Sequence, residues 1–261
     1  MNLVGIWTMQ MASVLYNISM IDVSHYNGQI NWTMVRKFGI MFSCMKATEG
    51  TKYVDPMFLT NCNGASKVNI NVGAYHFYRP EEDYKLQFNN FLISVRKVNQ
   101  IKFVALDVEQ KGKVSKAKYA DDIWAFLKLL DKYFRSRVLI YTRKSFWDLN
   151  VDWKRHDFTS YLLWVANYRV SKPQIPGNWT NWKIWQFNDR GKIPGINGNV
   201  DLNYIFVLDT ELYENVICVI PPTVVTYLTK SDLIAVSHRV SFNGSSKKTI
   251  QSTNVRKQCS Q

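Results

Sequence analysis

Short apolar, β-branched runs alternate with longer amphipathic stretches along most of the chain, and this alternation constrains the fold more than any other feature. We predict a strand at each run, because the runs have strand length and are rich in residues that favour extended structure. The eight predicted strands cover 19–24, 40–46, 72–78, 102–109, 137–142, 162–168, 183–187 and 200–206.

Amphipathic stretches between several of these runs predict helices. The clearest helical periodicity lies in 83–98 and 118–134, and a shorter stretch at 31–39 ends on Gly39. Strands alternating with helices over about 200 residues favour a parallel α/β barrel over an open sheet. The connections 169–182 and 188–199 are rich in Gly, Pro and Asn and are predicted as loops. We therefore expect an irregular TIM-like (β/α) barrel with eight strands and fewer helices.

Composition changes near residue 210, which suggests a boundary. We expect an N-terminal extension at 1–18, a barrel at 19–209 and a basic C-terminal extension at 210–261. The last segment contains no Trp and carries +3 of the net charge of +13. This polar composition favours a loosely ordered or partner-docked extension, with a compact accessory module as the alternative.

Charge and cysteine content narrow the class of protein. The net charge of +13 favours a polyanionic partner, whether nucleic acid, an anionic membrane or an acidic cell wall. The four cysteines (Cys44, Cys62, Cys218, Cys259) lack C-x-x-C spacing, so neither a metal site nor a redox pair is indicated. No apolar run approaches the roughly 20 residues that span a bilayer. The first twenty residues lack the basic segment of a signal peptide, so we expect neither a membrane span nor a secretory signal.

The fourth predicted strand ends in "FVALDVEQ", which places Asp107 and Glu109 together. Side chains two residues apart on a strand share a face, roughly 6.5–7 Å apart along the chain. Removing two like charges from water is costly, so one carboxyl should hold its proton to unusually high pH. A structural role would call for a cation on that face rather than a second acid, so a functional role is favoured.

Other strand ends carry polar or aromatic residues. In a parallel barrel the C-terminal strand ends meet at one rim, which is where such enzymes place their active sites. Asp22 closes the first predicted strand and Asp201 opens the eighth; either alone would be unremarkable as a loop residue. His76 lies mid-strand and is predicted to be a hydrogen-bonded core residue. The candidate catalytic residues are Asp22, Asp107, Glu109 and Asp201, and the candidate substrate-binding residues are Lys46, Glu49, Tyr75, Phe77, Tyr141, Trp164, Asn167, Trp185 and Gln186.

Eight segments resemble the family 25 glycoside hydrolases in order and approximate spacing: "IDVSHYNG", "KATEG", "GAYHFYRP", "ALDVE", "LIYT", "LWVANY", "WQF" and "GINGNVDLNY". Members of that family are lysozymes that cleave the β-1,4 bond after N-acetylmuramic acid in peptidoglycan. The resemblance covers roughly 19–209 and implies that Asp107 and Glu109 are catalytic, with Asp22 and Asp201 lining the site. It also implies an aromatic cleft, which Tyr75, Phe77, Tyr141 and Trp185 would supply. Cys44 and Met45 depart from the more aliphatic residues common there, which affects packing rather than chemistry.

Glycoside cleavage needs an acid that protonates the departing oxygen and a carboxylate that stabilises the positive charge developing at the sugar carbon. Glu109 is the predicted general acid/base, because a carboxyl beside a second acid in an apolar strand should have a raised pKa. Asp107 would stay ionised, either stabilising that charge or orienting the substrate's acetamido group. Their closeness favours net retention. No metal and no cofactor are expected, and the partner is the glycan strand of peptidoglycan.

Two alternatives remain open at this point. A D-x-E on a strand also occurs in metal-dependent exonucleases. Those enzymes carry the motif on the first strand with a later His or Tyr partner, so no nucleic-acid partner is expected. The second alternative is a lysozyme-like structural or docking component of a phage particle. The chain looks like a phage lytic enzyme, made in the host cytoplasm and acting on the bacterial wall or carried on a virion, with wall or particle docking through 210–261.

Overall fold

The computed structural model describes residues 18–134 and 137–206. Apart from Ile18, both predicted extensions lie outside the described residues. Their roles in docking or wall binding therefore stay predictions.

The described strands form one sheet that closes on itself. The sheet order is β1-β9-β8-β7-β6-β5-β4-β2-β3, and β1 also pairs with β2. This last pairing closes eight strands into a barrel, while β3 extends β2 as a short hairpin. The predicted barrel is therefore confirmed. The strands are β1 Ile18–Val23, β2 Phe42–Glu49, β3 Tyr53–Val54, β4 Asn71–Phe77, β5 Ile101–Asp107, β6 Val138–Thr142, β7 Leu162–Ala166, β8 Ile184–Gly191 and β9 Val200–Ile205.

Helices are fewer than strands in the described residues, as predicted. Three lie where periodicity indicated them, and α2 and α5 were not singled out from the sequence. The segment between β7 and β8 contains no described helix, in agreement with the loop predicted there. None of the described helices is long and apolar enough to cross a bilayer. The helices are α1 Trp32–Lys37, α2 Phe58–Lys67, α3 Tyr84–Val95, α4 Lys116–Phe134 and α5 Lys144–Asn150.

The last strand runs in the opposite direction to the other barrel strands, and the expectation of an all-parallel barrel was wrong on this point. β9 is antiparallel to both neighbours, β8 and β1. The connection 192–199 is too short for a parallel crossover, which needs about a dozen residues or more. It therefore turns the chain straight back, and part of the predicted loop 188–199 becomes the end of β8.

Side chains alternate between the inside of the barrel and the layer beneath the helices. On β5, Val104 and Leu106 belong to the large core packed against the helices. Ala105 and Asp107 have the opposite parity and point inward, because successive strand residues face opposite sides. The interior below the rim is filled by buried residues of the same parity: Met20, Cys44, Ala105, Leu139, Ile184 and Ile205. The barrel is therefore packed, and only its rim is open to a ligand.

Candidate active site

A pocket of about 230 Å³ lies at the rim where the parallel strands end. Each of the eight barrel strands, or the residues that directly follow it, contributes a side chain. Because β9 is antiparallel, its first residues lie at the rim where the other strands finish. The pocket is lined by Asp22, Ser24, Tyr26, Lys46, Tyr75, Phe77, Asp107, Glu109, Tyr141, Trp164, Gln186 and Asp201.

The backbone around Asp107 and Glu109 is fixed by the neighbouring strand β6. Asp107 is the last residue of β5 and lies in register with Tyr141. The Val108 amide donates to the Tyr141 carbonyl (2.9 Å), and Thr142 Oγ1 donates to the Val108 carbonyl (2.8 Å). These bonds hold Val108 outward, so the residues on either side of it both face the pocket.

Asp107 is buried, and one of its carboxyl oxygens lacks a hydrogen-bond partner among the described residues. The residue is 6% exposed, and the oxygen without a partner is Oδ1. Burial raises the pKa of Asp107 well above its usual value, and the charge of Glu109 raises it further. Lys46 opposes this by favouring the ionised form. Asp107 is nevertheless one of the residues that line the pocket.

Glu109 lies just beyond the end of β5 and is more accessible, with its side chain 24% exposed. Arg143, at the end of β6, donates from Nη2 to Glu109 Oε2 (2.9 Å). The sequence argument assigned the raised pKa to Glu109 because it treated both acids as buried in a strand. In the structure that burial argument applies to Asp107, while Glu109 is held at the pocket mouth by an arginine.

Asp22 and Asp201 are brought together by the closure of the barrel. They are directly opposed on the antiparallel pair β1 and β9 and share a hydrogen bond. Two amides also donate to Asp22 Oδ2, from Gln186 (2.9 Å) and Asn203 (2.7 Å). Burial is the main cause that raises the pKa of Asp22, and burial together with the charge of Asp22 raises the pKa of Asp201 to about 9. At neutral pH this pair therefore retains at least one proton.

Four acids carried by β1, β5 and β9 thus share one pocket. Comparison with known proteins identifies the family to which this arrangement belongs. The sequence profile described as "Glycosyl hydrolases family 25" matches residues 21–196, about two-thirds of the chain. The chain belongs to family 25 of the glycoside hydrolases. It is therefore an enzyme of the lysozyme and muramidase group.

Relatives and solved structures agree with this assignment. Protein YegX of Escherichia coli K12 is 36% identical over 194 residues, covering 72% of this chain and 69% of that protein. Lysozyme M1 of Streptomyces globisporus is 31% identical over 193 residues, covering 70% and 66% respectively. The crystal structure of the bacterial lysozyme from Streptomyces coelicolor superposes with a TM-score of 0.68 at 30% identity, covering 75% of this chain and 94% of that one.

One wall of the family 25 pocket is formed by Lys46 and the Phe77 ring. Lys46 Nζ and the Arg79 guanidinium each lie 4.9 Å from the centre of the Phe77 ring. Both cations also bind the Glu49 carboxylate, with Lys46 Nζ at 2.5 Å. Burial works against ionisation of Glu49, but these two cations outweigh it and lower its pKa. Glu49 thus holds Lys46 in place and does not itself line the pocket.

The opposite wall consists of aromatic rings whose polar atoms are already engaged. Tyr141 donates its hydroxyl to Gln186 Oε1 (2.9 Å), and Trp164 Nε1 donates to Asn203 Oδ1 (2.8 Å). The two rings meet edge to face with centroids 5.1 Å apart. Since their hydrogen bonds are satisfied by the protein, the rings offer apolar faces to a ligand.

Three of the predicted substrate-binding residues do not line this pocket: Glu49, Asn167 and Trp185. The Asn167 carbonyl accepts a hydrogen bond from Trp185 Nε1 (2.8 Å), and the Trp185 ring lies on the outer side of β8. Trp185 lines a neighbouring cavity instead.

Sequence reasoning missed several residues that the structure places at or beside the site. Ser24 and Tyr26 line the pocket, and Tyr26 is 84% exposed. Both follow the first strand directly in "DVSHYNG", so the rule that strand ends meet at the rim would have found them. Arg143 directly follows the fifth predicted strand and was open to the same argument. Tyr168, whose hydroxyl donates to Gln186 Oε1, is the last residue of the predicted strand 162–168, so the same rule applied to it.

Proposed function

We propose that this family 25 enzyme hydrolyses the β-1,4 glycosidic bond between N-acetylmuramic acid and N-acetylglucosamine in peptidoglycan. The observation that carries the proposal is a single rim pocket in which four carboxyl groups lie beside aromatic walls. Carboxyl pairs perform glycoside cleavage, and aromatic faces suit the apolar faces of sugar rings. The name of the Streptomyces globisporus relative, a lysozyme, supports the same substrate.

In this proposal Glu109 is the general acid/base. It is the member of the D-x-E pair that lies at the pocket mouth, where it can reach a glycosidic oxygen and exchange protons with solvent between turnovers. Arg143 holds its carboxylate in one orientation through the 2.9 Å hydrogen bond.

Asp107 is proposed to orient the acetamido group of the sugar at the cleavage point. Asp107 lines the pocket, and a carboxyl oxygen that faces the pocket can accept from the acetamide N–H. The acetamide oxygen would then attack the sugar carbon from the face opposite the departing oxygen, which leaves with the proton of Glu109. Water, losing a proton to Glu109, would open the resulting intermediate from the face that the leaving group vacated. Two carboxyls at one strand end leave little room for a directly attacking water, which favours net retention.

Asp22 and Asp201 are proposed to bind sugar hydroxyls and, by sharing a proton, to limit the negative charge in the centre of the pocket. Because the pair retains a proton at neutral pH, it presents both a donor and an acceptor. The amides of Gln186 and Asn203 keep Asp22 in position for this role.

The test is Glu109→Gln, measured by the release of soluble fragments from purified peptidoglycan. The amide is nearly isosteric but cannot donate the proton, and loss of a general acid typically lowers the rate by about 10²–10⁴-fold. Glu81→Gln is the matched control, because Glu81 is exposed and does not line the pocket. An activity of Glu109→Gln within about threefold of the wild type would contradict the assignment.

A further inference from the structure

A second cavity, of about 670 Å³, lies beside the mouth of the catalytic pocket. It is formed by residues 168–171 after β7, by the outer face and end of β8, and by Tyr204 of β9. Its volume is in the range of ordinary ligand sites. None of the catalytic roles proposed above uses it.

The two sites share a wall. Tyr168 lines the second cavity, and its hydroxyl donates to Gln186 Oε1, whose amide nitrogen in turn donates to Asp22. Asp189, at the edge of the second cavity, raises the pKa of Asp201 through its charge. The second cavity therefore adjoins the catalytic pocket.

The floor of the second cavity is aromatic. Trp185, Phe187 and Tyr204 face outward from β8 and β9, on a side of the barrel where no helix joins β7 to β8. Phe187 and Tyr204 stack with ring centroids 4.0 Å apart and planes 9° apart. The floor is thus a rigid apolar surface.

The mouth of this cavity is positively charged. Arg169 and Arg190 are both exposed, and neither forms an ion pair with an acid in 18–134 or 137–206. Arg169 is held with φ of 58°, a left-handed conformation that non-glycine residues seldom adopt. Asp189 is the acid among the lining residues, which leaves the cavity with a net charge of +1. Unpaired arginines next to an aromatic floor suit a ligand that carries carboxylates and small apolar groups.

Building on the proposed function, we propose that the second cavity binds the acidic peptide attached to N-acetylmuramic acid. The peptide is joined to the sugar next to the bond that is cleaved, so it would be attached to a sugar bound in the pocket that adjoins the second cavity. The lactyl carboxyl of that sugar is consumed in the amide bond to the peptide, whereas the peptide itself supplies free carboxylates for Arg169 and Arg190. Its small apolar side chains would lie on the aromatic floor.

The test compares binding of glycan strands that carry the peptide with the same strands after an amidase has removed it. The amidase leaves a free lactyl carboxylate on each muramic acid, so the two ligands differ in the peptide and not simply in the presence of an acid. Binding is measured in the Glu109→Gln background, so that the ligand is not consumed. We expect this protein to bind peptide-bearing strands about five- to tenfold more tightly, the size of effect expected for two solvent-exposed charge contacts. Adding Arg169→Gln and Arg190→Gln should abolish the preference and leave the affinity for peptide-free strands unchanged.

Arg96→Gln with Lys97→Gln is the matched control. It removes the same charge from exposed residues after α3, at the opposite end of the barrel, and should keep the preference. Melting temperatures check that both double variants fold; if Arg169→Gln disturbs its strained backbone, Arg190→Gln alone should reduce the preference. Equal affinity of the Glu109→Gln protein for both strands would overturn the inference, and so would equal weakening of both by the arginine variants. Failure of the proposed function would appear separately, as a wild-type protein that hydrolyses neither strand.

Discussion

At the scale of single residues, the pocket concentrates carboxyl groups that the protein satisfies to different degrees. Asp22 receives two amide hydrogen bonds, while one oxygen of Asp107 receives none among the described residues. Burial is the main cause that raises the pKa of each. A partly satisfied buried acid reduces stability, and its retention is typical of a site where a ligand completes the hydrogen bonding.

Asp201→Asn should make the protein more stable at alkaline pH. The pKa of Asp201 is about 9 in the folded state, whereas an unfolded chain releases this proton near pH 4. Between these values the folded state binds the extra proton, so stability falls as the pH rises. The amide removes this penalty and can still donate to Asp22. We expect a melting temperature above that of the wild type at pH 8, by about 2–4 °C per kcal/mol recovered, with the gain vanishing towards pH 4.

Asp152→Asn is a suitable control for that experiment, because Asp152 makes no side-chain cap to the short helix that follows it. Its melting temperature should follow the wild type at every pH. A gain for Asp201→Asn that is the same at pH 4 and pH 8 would show that packing, rather than the proton, is responsible. Hydrolysis should decrease in the same variant, since Asp201 lines the pocket.

His76 is a buried titratable residue whose ring nitrogens both have hydrogen-bond partners, in contrast to Asp107. Thr48 Oγ1 lies 2.7 Å from Nδ1, Gln87 Oε1 lies 3.1 Å from Nε2, and the ring stacks on Phe126 beneath the helices. Burial lowers its pKa to about 4, so the ring is neutral at physiological pH. It faces away from the pocket, as the prediction of a hydrogen-bonded core histidine required.

At the scale of elements, the loop between β8 and β9 is attached to α1. The Asn31 amide donates to the Gly195 carbonyl (2.8 Å), and Asn31 also caps α1 through its side chain. Gly195 has φ of 97°, and a Cβ there would lie 2.5 Å from the Asn31 carbonyl oxygen. Since β9 supplies Asp201, this contact helps to hold one side of the pocket.

Gly195→Ala should therefore destabilise the protein more than Gly198→Ala. Both glycines have positive φ, but a Cβ on Gly198 would meet nothing within 4 Å. The Gly198 variant should show only the conformational cost, about 1–2 kcal/mol. The Gly195 variant should add the backbone clash, typically about 1–3 kcal/mol more. Chemical denaturation of both variants measures the difference, and equal losses would mean that the Asn31 contact relaxes freely.

Sequence patterns predicted the elements whose signals are local. The strands of the barrel and the helices α1, α3 and α4 follow from apolar runs and helical periodicity. Helix α2 did not, because its sequence includes Gly64 and two asparagines, residues that disfavour helix interiors. Its glycine is explained only by the fold: a Cβ on Gly64 would lie 2.3 Å from the Trp32 ring. The direction of β9 was also beyond the pattern, because alternation of side chains is the same for a strand read in either direction.

The candidate site was predictable to the extent that strand ends identify a rim. Asp107 and Glu109 stood out because two acids end one apolar run, and no tertiary information was needed. Asp201 was placed at the rim from the sequence, but on the assumption of a parallel eighth strand. The first residues of a parallel strand would lie at the opposite end of the barrel. Arg143 and Tyr168 also stand at predicted strand ends, but the side chains they contact, Glu109 and Gln186, lie on other strands, and a single sequence does not display such contacts.

At the scale of the whole molecule, every residue that lines the pocket lies between Asp22 and Asp201. A chain ending at residue 209 should therefore still hydrolyse soluble peptidoglycan oligomers at a rate close to that of the full chain. Fragment release from such oligomers measures this. On intact walls the shorter chain should be less efficient and less sensitive to salt, because it lacks the +3 charge of 210–261. Loss of activity on soluble oligomers would mean that the extension supports the barrel itself.

Activity should also survive a chelating agent such as EDTA. The proposed chemistry needs a proton donor and a carboxylate, and in the described residues no group of three or more His, Cys, Asp or Glu has metal-binding geometry. The assay is a zymogram on purified peptidoglycan with and without EDTA. Loss of the lytic band, restored by magnesium or manganese, would instead favour metal-dependent chemistry.

The pairing of the first strand with the last has a topological consequence. Ile18, where β1 begins, is directly opposed to Ile205, where β9 ends. The barrel's own start and finish are thus neighbours, at the end of the barrel away from the pocket. The barrel segment is therefore suited to circular permutation: a short linker can join these two points, and the chain can be opened at another loop of that end, without moving a residue that lines the rim pocket.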